Sequence, residues 1–153
     1  MEFAITVRLR GLITPTTTVE ENSILRNLPV NEFLTISIGA ILGANARWLI
    51  SRFLARVLGP IFPYGTLFIN VSGSFVVGFF VIWASERVLL DPRWRLLVVV
   101  GFCGAFTTFS SFAFETMAYF EQGQWALTAI NFVSNNLLCL LAALGGMALA
   151  RAI

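Results

Sequence analysis

"GFCGAFTTFSSFAFE", residues 101–115, decides how the rest of the chain is read. It lies in a strongly apolar region, yet it holds two glycines, a Thr-Thr pair, a Ser-Ser pair and five phenylalanines. Lipid cannot satisfy the amides of an open backbone. Main chain that leaves helical geometry at membrane depth must therefore be buried in protein or line a wet cavity. Gly101, Gly104 and Thr107-Thr108 predict such a break near the middle of a membrane span.

The composition around this stretch fits a membrane protein. The chain has 153 residues, 58% of them hydrophobic and 12% charged, against about 25% charged in a usual soluble domain. Mean hydropathy is +0.84. Lysine and histidine are absent, Asp91 is the single aspartate, and the 10 basic residues are all arginine. That composition removes most acid–base and metal-site chemistry. The net charge of +2 comes from scattered arginines, which argues against a nucleic-acid partner. Cys103 and Cys139 fall in apolar runs without ligand spacing and read as buried free thiols.

A bilayer core needs about 20 apolar residues per helix, and four such runs are present, at about 32–50, 64–84, 96–120 and 125–150. The connections at 52–63, 86–95 and 121–124 carry Gly59-Pro60, Asp91-Pro92 and Gly123 as turn signals. Asn31 is placed to cap the first helix. Trp48, Trp83, Trp94 and Trp125 fall near span ends, as an interfacial belt would. Residues 1–30, richer in Thr, Glu and Asn, read as a poorly ordered or surface-lying extension, and 31–153 as the membrane domain. Near the spans, five arginines lie on the side of the termini and Arg47, Arg52 and Arg56 on the other. This bias is weak enough to allow insertion in both orientations.

Each later span carries a polar stripe. Thr66, Asn70 and Gly73 share one face of the second, beside Ser74. In the third, Phe109 and Phe112 share a face next to Ser110 and Ser111. In the fourth, Asn131, Asn135 and Cys139 recur every four residues beside Ser134. Phenyl edges are electropositive and hydroxyls donate, so Phe109, Phe112, Ser110 and Ser111 can face an anion. The plain alternatives are that phenylalanines pack, small residues bring helices close, and asparagines bond between helices. Two charged side chains stand inside spans. Arg47 is readable as an interfacial snorkelling residue, and Glu115 within the third span must pair, neutralise or border water.

Taken together, these motifs resemble the Fluc/CrcB fluoride channel family. Residues 101–115 are similar to its third-span signature, approximately GxxGGxTTFSTFxxE. "GTLFINVSGSF" resembles its second-span GTLxxNxxGxF, and "GAILGANARW" its first-span glycine-rich stretch ending in arginine. The resemblance covers about residues 32–151. It implies an all-α integral membrane protein of the prokaryotic plasma membrane. Each subunit would have four transmembrane helices, the third broken, and would pair in an antiparallel, dual-topology homodimer with two fluoride pathways. It further implies Phe109 and Phe112 as the ring pair, Asn70 as the pore asparagine, and Thr108, Ser111 and Glu115 as the exit track. Arg47 would draw anions in, and backbone carbonyls of Gly104 and Thr107 from both subunits would hold a central structural Na+. Asn131, Asn135 and Cys139 stand where relatives present Tyr or Ser, and Ala105 replaces the second glycine of a usual pair.

Three other classes are open to a chain of this composition. A proton-coupled exporter similar to the small multidrug resistance proteins, which are also four-span dimers, would imply an essential first-span Glu, and the only acid there is Glu32 at the membrane edge. An intramembrane enzyme with a Ser or Thr nucleophile lacks a base. A scaffold would use the small residues only to pack helices.

Overall fold

The computed structural model describes residues 30–86 and 91–153, all helix and connection without a strand. Among the described residues four helices are long and apolar enough to cross a membrane: Val30–Leu58, Tyr64–Glu86, Pro92–Glu121 and Trp125–Ala152. The protein is thus a multi-pass membrane protein. Its contacts separate Met1–Phe33 from Leu34–Ile153. Of the first unit only residues 30–33 are described, so the expected extension, with Arg8, Arg10 and Arg26, lies outside the described residues, as does Arg87.

Helix α1 is described over Val30–Leu58, with Asn31 in its first described turn. The helix runs past the expected end at Ile50. Arg47 and Trp48 consequently lie well within it, and the connection to α2 (Tyr64–Glu86) shrinks to residues 59–63. Gly59 turns the chain there with a φ of 85°, a value that side chains with a Cβ avoid. The third span begins with the short α3 (Pro92–Arg95). The Asp91 carboxylate accepts the Arg93 N–H at 2.9 Å and Pro92 occupies the first helical position, so the Asp-Pro pair read as a turn signal also opens this helix. An eight-residue π-helical segment, Leu96–Cys103, leads into one α-turn, α4 (Gly104–Phe106), and after an interruption α5 (Phe109–Glu121) completes the span. Gly123, at φ 71°, makes the turn into α6 (Trp125–Ala152).

Small residues set how closely these helices approach. A Cβ on Gly39 of α1 would lie 2.8 Å from the Phe102 nitrogen and 3.0 Å from the Gly101 Cα, and one on Gly101 would lie 2.6 Å from the Ile36 carbonyl oxygen. Backbone thus meets backbone between α1 and the π segment. The same holds between α2 and α6, where a Cβ on Gly146 would lie 2.7 Å from the Phe79 nitrogen and one on Gly78 would strike the Ala143 carbonyl. In lipid, where burial of apolar surface between helices gains little, such close approach is what holds spans together. The outward faces are large apolar side chains such as Ile41, Leu49, Phe68, Leu140 and Leu144, all exposed.

Candidate functional site

The interruption of the third span is two residues long. Thr107 (φ −77°, ψ 157°) and Thr108 (φ −150°, ψ 112°) are extended between two helical ends. Gly101 and Gly104, expected as part of the break, are both helical. Gly101 is small because of α1, and the break belongs to the threonines. Thr107 still closes the upper helix, its N–H and its hydroxyl both donating to the Cys103 carbonyl at 3.0 and 2.9 Å.

Thr108 is held by a side chain from another helix. Its N–H donates to Asn70 Oδ1 at 2.8 Å, and its carbonyl accepts from Asn70 Nδ2 at 3.1 Å. One amide supplies both main-chain partners of a residue that has left the helix, which lets extended backbone persist in a dry interior. Thr108 also caps α5, its Oγ1 accepting the Ser111 N–H at 3.1 Å and donating to Ser111 Oγ at 3.0 Å, with Ser110 Oγ at 3.2 Å. These bonds divert two donors. In a continuous helix the Thr108 N–H would serve the Gly104 carbonyl and the Ser111 N–H the Thr107 carbonyl. Each is directed instead to a side-chain oxygen.

That diversion is the test of a cation site here. Among the described residues no cluster of His, Cys, Asp or Glu can hold a metal ion. Two carbonyls whose helical donors are engaged elsewhere are hard, neutral oxygen ligands, and they fit a weakly charged hard ion such as Na+ better than any transition metal. Gly104 is exposed on the subunit surface, and among the described residues beyond its own helical neighbourhood an added Cβ would meet Val99 O alone, at 3.8 Å.

Behind the break runs a ladder of amides. Asn70 Nδ2 donates to Asn135 Oδ1 at 3.1 Å and Asn135 Nδ2 to Asn131 Oδ1 at 3.0 Å. Asn131 Nδ2 in turn donates to Thr116 Oγ1 at 2.9 Å, and Thr116 donates to the Phe112 carbonyl at 2.7 Å. Thr116 had no sequence signal, since its meaning depends on Asn131 reaching it from another helix.

In front of the break lies a groove of about 450 Å³, whose walls include Asn70, Thr107, Thr108, Phe109, Phe112 and Asn135. The rings of Phe109 and Phe112 meet edge to face with centroids 5.4 Å apart. Phe112 is buried (5% exposed) and Phe109 is 76% exposed, so the pair spans from interior to subunit surface. Ser74, Asn136 and Cys139 extend the groove along α2 and α6, and Cys139 is half-buried, not buried as its apolar run suggested. Ser110 and Ser111 lie beside the groove on Thr108 and are not among its walls. Asn131, fully buried, sits behind Asn135 and does not reach the groove either.

Glu115 lines a second pocket of about 330 Å³, which Ser51, Pro60, Gly65, Thr66 and Tyr119 also border. Thr66 donates to its Oε1 at 2.6 Å, while its buried Oε2 has no hydrogen-bond partner among the described residues. Tyr119 donates to the Ile61 carbonyl at 2.5 Å, fastening the α1–α2 connection over this pocket. Thr66 and Asn70, one turn apart on α2, thus engage α5 at Glu115 and the break at Thr108. Arg47, on α1, lines neither cavity.

Four spans, the third interrupted, with amide and hydroxyl groups gathered at a groove beside the interruption, define a membrane bundle with a polar interior. Residues 34–147 match the family described as CrcB-like protein, Camphor Resistance (CrcB). The chain is 55% identical over 126 residues, covering 82% of it and all of the relative, to a protein of Koribacter versatilis (strain Ellin345) named "Fluoride-specific ion channel FluC". It is 42% identical over 122 residues (80% of this chain, 98% of the relative) to a protein of the same name from Sulfurihydrogenibium sp. (strain YO3AOP1). Another from Magnetococcus marinus is 40% identical over 118 residues, covering 77% of this chain and 96% of that one. The chain belongs to the CrcB family.

Proposed function

We propose that this chain is a fluoride-selective channel subunit that lets fluoride leave the cell passively down its electrochemical gradient and so lowers cytoplasmic fluoride. The name that its relatives carry supports this reading. One observation in the chain itself carries it: the groove at the break brings amides, hydroxyls and two phenyl rings together among apolar walls that include Val77, Leu140 and Ala143, and among the described residues no charged side chain lines it.

Fluoride is small and strongly hydrated, so a pathway must replace its water with donors yet avoid a fixed cation that would trap it. Ring edges of Phe109 and Phe112 offer weak positive potential without titrating. Thr108, Ser110 and Ser111 offer hydroxyls clustered on one turn, and Asn70 and Asn135 offer amides in reach of the same space. Glu115, which accepts from Thr66 in the second pocket, would continue the polar track beyond the groove. Arg47 would act only at long range, raising anion concentration at the mouth.

The groove opens on the side of the subunit, and exposed polar side chains such as Ser110 and Asn136 cannot face lipid at little cost. A second, antiparallel copy supplies the missing wall and places two breaks together, giving two pathways in a homodimer. Carbonyls of Gly104 and Thr107 from both copies would then hold Na+, which supplies a fixed positive field without a titrating residue. The alternative of a proton-coupled exporter finds no support, since Glu32, the only acid of α1, is exposed in its first turn.

The test is fluoride release from potassium-loaded liposomes containing this chain alone, followed with a fluoride electrode after valinomycin. Rapid fluoride release with chloride retained is expected. Chloride release at a comparable rate, or fluoride release only when a proton gradient is imposed, would reject the channel.

A further inference from the structure

We infer that Asn131 and Asn135 are positioning residues that fix the orientation of the Asn70 amide and of the first two turns of α5, and that Asn131 never meets the ion. This rests on the channel reading above. The direction of every link follows from the one before it. The Thr108 N–H can only donate, so Asn70 must present Oδ1 to it, at 2.8 Å, and its Nδ2 is left to face Asn135. Asn135 must then offer Oδ1, which turns its own Nδ2 to the Asn131 side chain and carbonyl at 3.0 and 3.2 Å. Asn131 must offer Oδ1 in turn, leaving Nδ2 for Thr116 Oγ1 at 2.9 Å, whose proton goes to the Phe112 carbonyl at 2.7 Å.

The ladder therefore starts on Thr108 at the head of α5 and returns to α5 one turn on, at the main chain of a ring-pair residue. It passes through α2 and α6 on the way. Chains of like-oriented hydrogen bonds in a low-dielectric interior strengthen one another, and a half-satisfied chain costs more than an apolar one. Asn131 is 0% exposed and Asn135 3%. The N–H groups of Asn70 already serve Thr108 and Asn135, so where that amide points, and what it must release to receive an ion, is set by asparagines on a different helix. The four-residue recurrence of Asn131 and Asn135 is thus a support for the groove's wall.

The test compares Asn131→Leu, Thr116→Val and Thr116→Ser with wild type, each checked for a folded dimer by size exclusion and thermal melting. Asn131→Leu and Thr116→Val are each expected to slow fluoride release by about tenfold while the dimer persists, since each breaks the same chain. Combining them should slow it little further, because coupled sites are not additive. Thr116→Ser keeps the hydroxyl and should restore the wild-type rate. If Asn131→Leu does not fold, the two substitutions at Thr116 decide alone. Thr116→Val releasing fluoride within about twofold of wild type, or Thr116→Ser failing to restore what Thr116→Val loses, overturns the positioning role. Wild type that releases no fluoride would sink the channel reading instead, and this one with it.

Discussion

Asn70 uses both ends of its amide on Thr108, and no other residue type can do so at that size. Asn70→Leu would leave the Thr108 N–H, the Thr108 carbonyl and Asn135 Oδ1 without their partners in a dry interior. Orphaned buried groups cost about 1–3 kcal/mol each, so a large fall in melting temperature is expected together with loss of fluoride release. Asn70→Asp is the sharper variant, because it keeps an acceptor for the N–H but sets a carboxylate oxygen against two carbonyl oxygens. Release should drop by at least about tenfold, from the repulsion alone. Wild-type conduction by the Asn70→Asp variant would mean that the amide's donor side is dispensable. The residues of α2 were legible in advance: Thr66, Asn70 and Gly73 recur at helical spacing, and all three are buried on one face. Their partners were not. Nothing in residues 101–115 says that Thr108, of all its polar groups, is the one an amide from α2 will hold, because that pairing is fixed only when two helices pack.

The interrupted span teaches a different lesson, at the scale of the element. Glycine weakens a helix wherever it stands, so a sequence cannot separate a glycine that permits a break from one that permits contact. Here Gly101 and Gly73 do the second: a Cβ on Gly73 would strike Thr107 Cγ2 and lie 3.3 Å from Phe106 Cδ1. The break was expected in the right span, and the threonines named for it are where it falls. The π-helical turns before it were not foreseen, since no residue pattern in 96–103 marks them. Substitution at the contact point is a direct check. Gly39→Ala would drive its Cβ into the Leu97 carbonyl and close on the Phe102 nitrogen at 2.8 Å, atoms of a backbone that cannot step aside. Overpacking of this kind costs about 1–3 kcal/mol. A clear loss of thermal stability in detergent is expected, and an unchanged melting curve would show that α1 and the π segment do not meet this closely.

For the subunit as a whole, the question is what covers the groove. The four-span plan was readable from run length alone, because about 20 apolar residues is a length few other structures need. Which face of the bundle stays polar was readable only in part, from the stripes on the second, third and fourth spans. Gly104 offers the cleanest probe of that face. It is exposed, and among the described residues outside its own turn an added Cβ would meet Val99 O alone, 3.8 Å away, so Gly104→Ala should leave the single subunit as stable as before. If two copies meet at the break, the same methyl group lands between them. Weakened dimerisation in single-molecule or cross-linking assays, with fluoride release falling in step, is the expected outcome. Normal pairing and conduction by the Gly104→Ala variant would place the contact elsewhere.

The length of α1 has a bearing on where the protein can work. Its 29 residues make a rod of about 43 Å, against a hydrocarbon slab of about 30 Å. A usual tilt of about 20° shortens the projection by only a few ångströms. The excess must therefore stand in the headgroup layer, and Arg52 and Arg56, both exposed in the last two turns, are at the end that would stand there. Trp48, stacked under the Arg52 guanidinium at 5.0 Å, would then lie one turn deeper, where an amphipathic ring suits the interface. Hydrophobic mismatch is thereby taken up by a basic overhang, which predicts that thicker bilayers draw these arginines toward the acyl chains and that thinner ones leave them free.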